Sequence, residues 1–441
     1  MERVLAVLSV LAVFGAIMIL ARIFVRRRFD VIFLALLLSG FWFVFRPIQL
    51  AIGLDSATPD YLFPDGHLQL LLIAEAGALL WLAGFGLGAA VGGAVGGPVA
   101  AILPRLEGEP SPIFVLVGLA AVTALAGAVT VGLFAASGGG LAESIRFVKA
   151  EKAVAGFYFL RQFAVVGVLL SIFALYYLSY LRRVRLLAIP SWWSWAIVLC
   201  FVINAFGIYA WGQRYSVAMA AVGMIAGYHY FVARLSVIRL GALATAMLAV
   251  FLGLRVARDV LLFPEGVISP LEGVNIWRQI AISMHGSQFD ALLLVMRDFD
   301  LSAGLRWGED FAAGIAALVP RAIWPDPPVS ALGAWFRQIY EPETVNGWPI
   351  TLVGEWLVNF GWAGVALGGA ASGYVLRAAR DAYDDMWRNP WSLMMSIVVG
   401  LFVFPGGINV GSPQTYVLVV IPMVLIVLAL RLFAPMRGRW A

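Results

Sequence analysis

The chain is short of the residues on which soluble catalytic domains usually rely. Among its 441 residues are one cysteine, three histidines and, of thirty basic residues, only two lysines, Lys149 and Lys152. The lone Cys200 excludes an intrachain disulfide, and its apolar surroundings argue against a redox role. Charged residues make up 12% of the sequence, against about 25% in an ordinary soluble domain. The polar stretch 257–352 has no glycine-rich phosphate loop, no G-x-S-x-G elbow and no paired His or Cys ligands. Met1–Ala21 lacks the basic start and small-residue cleavage site of a signal peptide, so no cleavable leader is expected.

What fills the chain is apolar sequence, with 62% hydrophobic residues. The apolar runs are continuous over about 18–25 residues, the length a helix needs to cross a bilayer, which argues against a β-barrel. The expected fold class is therefore an all-α polytopic membrane protein. Spans are predicted near 3–21, 31–53, 68–90, 113–136, 157–181, 188–211, 217–233, 239–256, 353–376, 392–411 and 416–432, about eleven in all. Arginine-rich joints at 22–28, 105, 182–185, 234–239, 377–388 and 431–439 fall on alternate connections, as cytoplasmic loops do. The net charge of +5 is accounted for by these blocks, so no nucleic-acid partner is expected. The glycine-rich stretch 85–103 admits two readings, a half-inserted hairpin or a helix making small-residue contacts.

The opposite connections then face outward: 55–67, 137–152, 212–216, 257–352 and 405–415. The largest divides the chain into N-terminal membrane helices (1–256), an extracytoplasmic loop (257–352) and C-terminal membrane helices (353–441), together one integrated membrane domain. Apolar residues from Ile276 to Met296 recur at helical spacing, so the loop should contain amphipathic helices lying near the membrane surface. It carries six arginines and eleven acidic residues. Guanidinium groups suit bidentate phosphate contacts and tryptophans suit sugar faces, the parts needed to handle a lipid-linked diphosphate sugar.

Three loop or loop-border residues could act as an acid or base. His285 is the loop's one histidine, a residue type that could serve as a base near neutrality, although a lone histidine is more often a packing residue. Glu355 stands where an apolar helix begins, and burying its charge unpaired would be costly; a salt bridge or helix N-terminal contact is the structural alternative. Asp290 has its location alone to recommend it. Asp298 and Asp300 form a D-x-D, a spacing that can hold a divalent cation but is frequent by accident in charged loops. No metal or cofactor is expected. Glu75 and His229 fall inside predicted spans, away from outside chemistry.

Three segments resemble the Wzy-type O-antigen polymerases, the oligosaccharide repeat-unit polymerases related to the O-antigen ligases. GQRYSVAMAAVGM at 212–224 looks like that family's glycine–polar–arginine turn opening a helix. ALVPRAIWPDPP at 317–328 is similar to the proline–arginine segment closing its large loop, and PITLVGEWLVNFGWAGVALG at 349–368 to its Gly-Glu and Asn-Phe-Gly re-entry into the membrane. One departure is Asp326, where family members often carry a lysine.

The resemblance implies a GT-C-like membrane glycosyltransferase that polymerises polyprenyl-diphosphate-linked oligosaccharides at the outer face of a bacterial cytoplasmic membrane. It implies lipid-linked donor and acceptor as partners, with membrane lipids and a chain-length regulator as further candidates. It carries Arg214 and Arg321 over as diphosphate ligands, to which position alone adds Arg278, Arg258 and Arg161. The alternatives are ligase-type transfer to a different acceptor, or a flippase or other transporter. Transporters concentrate ionisable groups near the bilayer midplane, whereas here they gather in one outside loop.

Overall fold

The computed structural model describes residues 1–54, 63, 66–95, 97–105, 110–149, 158–184, 190–262, 287–299, 304–316, 318–319, 324, 332–333, 336, 339 and 348–432. Among these residues the chain is helical, without strands. Among the described residues six helices are long and apolar enough to cross a membrane: α1 (Glu2–Phe24), α2 (Val31–Ala51), α3 (Leu68–Val95), α5 (Pro112–Ser137), the helix spanning Arg161–Arg183 and α8 (Trp192–Ala210). They match the first six predicted spans and are consistent with an all-α membrane protein. A six-residue helix, α4 (Gly97–Ile102), follows α3.

The remaining predicted spans also fall on helices, but on shorter or more polar ones. These are α9 (Arg214–Phe231), α10 (Val237–Leu262), α13 (Leu352–Ala382), α14 (Pro390–Ile397, continued by a wider turn through Val403) and α15 (Ile421–Leu432). Between them lie α6 (Leu141–Lys149), α7 (Gln162–Val184, the body of the fifth spanning helix), α11 (Ser287–Asp298) and α12 (Glu309–Ala316).

The chain forms two compact units that interleave along the sequence. The first comprises Met1–Ile102, Ser269–Ala382 and Val399–Gln414; the second comprises Leu103–Ile268, Tyr383–Val398 and Thr415–Ala441.

In the first unit α1 and α2 form a hairpin whose turn is closed by Asp30. Its Oδ1 accepts from the Phe33 amide at 2.7 Å, and its Oδ2 from the Arg26 and Arg27 amides at 2.9 and 3.1 Å. Asp30 thereby caps α2 and satisfies backbone donors that would otherwise lack partners.

Next, α3 packs along α13 with almost no side chain between the backbones. A Cβ placed on Gly84 or Gly88 would strike the carbonyl of Ala366 or Ala370, and one on Gly92 would lie 2.8 Å from the Tyr374 carbonyl oxygen. Gly369 and Gly373 return the contact against the carbonyls of Trp81 and Phe85. Small residues at four-residue spacing let two helices approach this closely, and dispersion contacts replace the side chains they lack. Of the two readings of 85–103, the small-residue helix is the one observed up to Val95.

In the second unit the fifth spanning helix is central: it is largely buried, whereas α5 and α8 beside it are mostly exposed. Its helix α7 is tied to its surroundings by Tyr177, whose hydroxyl donates to the Pro110 carbonyl at 2.6 Å. Asn204 of α8 lies over Gly167 of α7 and donates to Thr123 Oγ1 of α5 at 2.9 Å. His229 accepts the Leu235 amide on Nδ1 at 3.0 Å, closing the turn after α9, which is a structural role.

Candidate functional site

The most elaborate polar arrangement in the first unit grows from a break in α13. Gly361 has φ 68° and ψ −165°, which ends the first helical piece after nine residues, Leu352 to Phe360. Carbonyls just before such a break lose the amides that would have followed them one turn on. Two of them find new donors in the segment ahead of α12: the Arg306 amide donates to the Val358 carbonyl at 3.1 Å and the Trp307 amide to that of Asn359 at 2.9 Å.

The wrapping segment, Arg306-Trp307-Gly308-Glu309-Asp310, is bent to fit. Trp307 has φ 49° and Gly308 φ 82°. A tryptophan in the left-handed region is strained, and such strain persists where surrounding contacts determine it.

The side chain of Asn359 occupies the centre and is completely buried. Its Oδ1 accepts the Gly308 amide at 3.1 Å, while Nδ2 donates to Asp310 Oδ2 at 3.0 Å and to the Glu355 carbonyl at 2.9 Å. Asp310, also buried, takes a two-point contact from Arg306: Nε to Oδ2 at 2.8 Å and Nη2 to Oδ1 at 2.9 Å. This pairing holds the Arg306 guanidinium above the ordinary arginine range, mainly through the hydrogen bonds to Asp310, with burial opposing. Glu309 adds a looser contact to Arg306 at 3.5 Å. Asp310 and Glu309 also stand in the first turn of α12, where a negative charge meets unsatisfied amides.

Glu355 lies one helical turn before Asn359 and is half-buried. Its Oε2 accepts the Val410 amide at 2.9 Å. The loop bearing Val410 is pinned twice more to α13: Trp356 Nε1 donates to the Ile408 carbonyl at 2.9 Å, and the Ile408 amide donates to Ser372 Oγ at 2.9 Å. Gly406 and Gly407, with φ of 75° and 156°, let the loop turn against Trp42 and Trp81.

Aromatic rings line the same place. Phe311 lies 5.0 Å from Trp356 and 5.9 Å from Phe360 between ring centroids, and Trp356 lies 5.4 Å from Phe360. The result is a half-buried glutamate whose carboxyl accepts a backbone amide, beside a charge-neutralised Arg–Asp–Asn core and an aromatic wall. A carboxyl in that setting can accept a proton from a hydroxyl that reaches it.

The residues singled out by sequence are distributed unevenly. Glu355 is in the site. Asp290 belongs to the same unit but is buried on α11, where Arg46 holds its carboxylate. Arg214 opens α9, preceded by Gly212 with φ 69°; Arg161 closes a short 3-10 turn at Tyr158–Arg161; Arg258 is on α10. Those three belong to the second unit. His285, Arg278 and Arg321 lie outside the described residues, as does Asp300, while Asp298 is engaged by neighbouring Arg297. Among the described residues no group of three or more His, Cys, Asp or Glu is placed to hold a metal ion.

Arg306, Asp310 and Asn359 were not among the sequence candidates. The signal that could have found the first two is their spacing of four residues across a helix start, with Trp-Gly between them. No family model, characterised protein or solved structure matches the chain.

Proposed function

We propose that this membrane protein is a glycosyltransferase that polymerises polyprenyl-diphosphate-linked oligosaccharide repeat units at the outer face of a bacterial cytoplasmic membrane. The observation carrying this reading is Glu355, a half-buried residue whose carboxyl is held by the Val410 amide one turn from the Asn359 clamp. It lies in the 349–368 segment that resembles the repeat-unit polymerases. The aromatic wall of Phe311, Trp356 and Phe360 beside it suits a sugar ring.

In the reaction Glu355 takes the proton of an acceptor sugar hydroxyl as its oxygen bonds to the anomeric carbon of the donor. The bond from that carbon to the diphosphate oxygen breaks, and the lipid diphosphate leaves with the electron pair. Charge grows on the leaving diphosphate, and fixed cations in a water-poor site stabilise that growth. The resemblance assigns this part to Arg214 and Arg321, to which sequence position alone adds Arg161, Arg258 and Arg278. The Arg306–Asp310–Asn359 core holds Glu355 in place and is itself electrically balanced.

The test is an in vitro assay with the full chain in nanodiscs, given the lipid-diphosphate-linked repeat unit of its host, with products separated by size. A ladder of products that disappears in Arg214→Ala, Arg321→Ala and Glu355→Gln is the expected result. Normal-length polymer from all three variants would sink the proposal. A single transfer to a non-glycan acceptor, without a ladder, would replace it by the ligase reading.

A further inference from the structure

Glu75 has no part in the chemistry above, and its setting calls for an explanation. It is the eighth residue of α3, about 10 Å along the helix from its start. The residue is completely buried, and neither carboxylate oxygen has a hydrogen-bond partner. Gln49 of α2 shows the same pattern, being 3% exposed with both its amide nitrogen and its oxygen unpartnered.

The two residues stand at a similar height in the first unit. The face of α3 that carries Leu71, Glu75, Ala78 and Leu82 continues to Gly86, which meets Leu20 of α1. This is not the glycine face applied to α13. At the other end Gln69 of α3 donates to Glu2 of α1, so α1 and α3 run in parallel with residue 75 level with residues 8–9. In the α1–α2 hairpin, Gly53 lies beside the Arg3 side chain, which brings Gln49 to within about one turn of that level. His67, just before α3, contacts the Leu50 carbonyl at 3.4 Å and ties the helices together here.

A bare carboxylate with no partner is not stable in such an interior; it needs a positive charge. Among the described residues, the charged groups on helices packed against α3 do not supply one, and Arg22 stands at the opposite end of α1 from Glu2 and Arg3. Arg46 of α2 is given to Asp290 of α11, Arg297 of α11 to Asp298, and Glu2 and Arg3 stand at the outer start of α1. On α13, Glu355 is anionic when charged, and Arg377 and Arg380 pair with Asp381 at the far end.

We propose that Glu75 and Gln49 form an intramembrane binding site for a single positive charge, either a proton or a sodium ion. The carboxylate balances the charge and the Gln49 amide oxygen is the second ligand. The site is independent of the proposed glycosyl transfer, since it needs neither Glu355 nor any lipid-linked substrate.

The test uses the purified full chain in nanodiscs. Infrared spectra of wild type and Glu75→Gln are compared for the carbonyl stretch of a protonated carboxylic acid, and thermal melting of both is followed as sodium replaces choline. A protonated-acid band that is lost in Glu75→Gln supports the site with a proton as occupant. No such band, but melting that rises with sodium in the wild type alone, supports it with sodium. Absence of both overturns the proposal. Should Glu75→Gln fail to fold, labelling of the wild type with a hydrophobic carbodiimide, mapped by peptide mass spectrometry, reads the same question. Label on Glu75 that sodium suppresses supports sodium, label that sodium leaves unchanged supports a proton, and an unlabelled Glu75 overturns the site.

Discussion

Arg46 and Asp290, 244 residues apart in the chain, are both completely buried and joined by a two-point contact. Nε of the arginine donates to both carboxylate oxygens at 3.1 and 3.2 Å, and Nη2 to Oδ2 at 3.0 Å. The pair links α2, a membrane-spanning helix, to α11 of the large loop.

Removing one member of such a pair strands the other charge in the interior, which costs about 3–5 kcal/mol, whereas replacing both by apolar residues of similar volume is close to neutral. Arg46→Met and Asp290→Leu should therefore each lower the melting temperature sharply, and the double variant should recover most of the loss. Thermal melting of the four proteins in one detergent checks this. If Asp290→Leu melts like wild type, the pair does not hold α11 in place.

Gly88 gives a second prediction. A methyl group there meets the Ala370 carbonyl, which belongs to backbone and cannot swing aside. Overpacking of this kind costs about 1–3 kcal/mol or more. Gly88→Ala should destabilise the chain measurably and Gly88→Leu should prevent folding, whereas Gly118→Ala, at a position with open space, should do neither. Yield of monodisperse protein and melting temperature are the readouts.

The first six spans were legible because an apolar run of bilayer length needs no partner to be recognised, as α1 and α5 illustrate. Glu355 was legible for the opposite reason, a charge at the start of an apolar helix. Arg46 and Asp290 were harder, because their spacing in sequence carries no trace of the pairing and either alone resembles an ordinary helix charge. Asn359 was seen within a short motif but without its role, since its three contacts depend on the break at Gly361 and on the left-handed turn at Trp307. Such partners are set by tertiary wrapping and leave no periodic signature.

Asn359 leads to the third prediction. It holds Gly308, Asp310 and the Glu355 carbonyl at once. Asn359→Ala would leave a buried amide and a buried carboxylate each short of a partner, at about 1–3 kcal/mol for each group. Asn359→Asp would keep the shape but set a second carboxylate against Asp310. Both variants should melt lower than wild type and lose transfer activity, with Asn359→Asp the more severe; the reverse order would show that shape and not charge governs the clamp.

Glu355 itself separates a chemical role from a bracing one. Its observed contact is acceptance of the Val410 amide, and the side-chain oxygen of glutamine can accept that same hydrogen bond. Glu355→Gln should thus keep the loop in place and leave melting unchanged while removing the group that takes a proton. General acid–base catalysis contributes about 10²–10⁴-fold, and a loss of that size in kcat with the donor KM retained is expected. A Glu355→Gln protein that elongates at the wild-type rate would assign Glu355 to bracing the Val410 loop and would move the search for the base to His285.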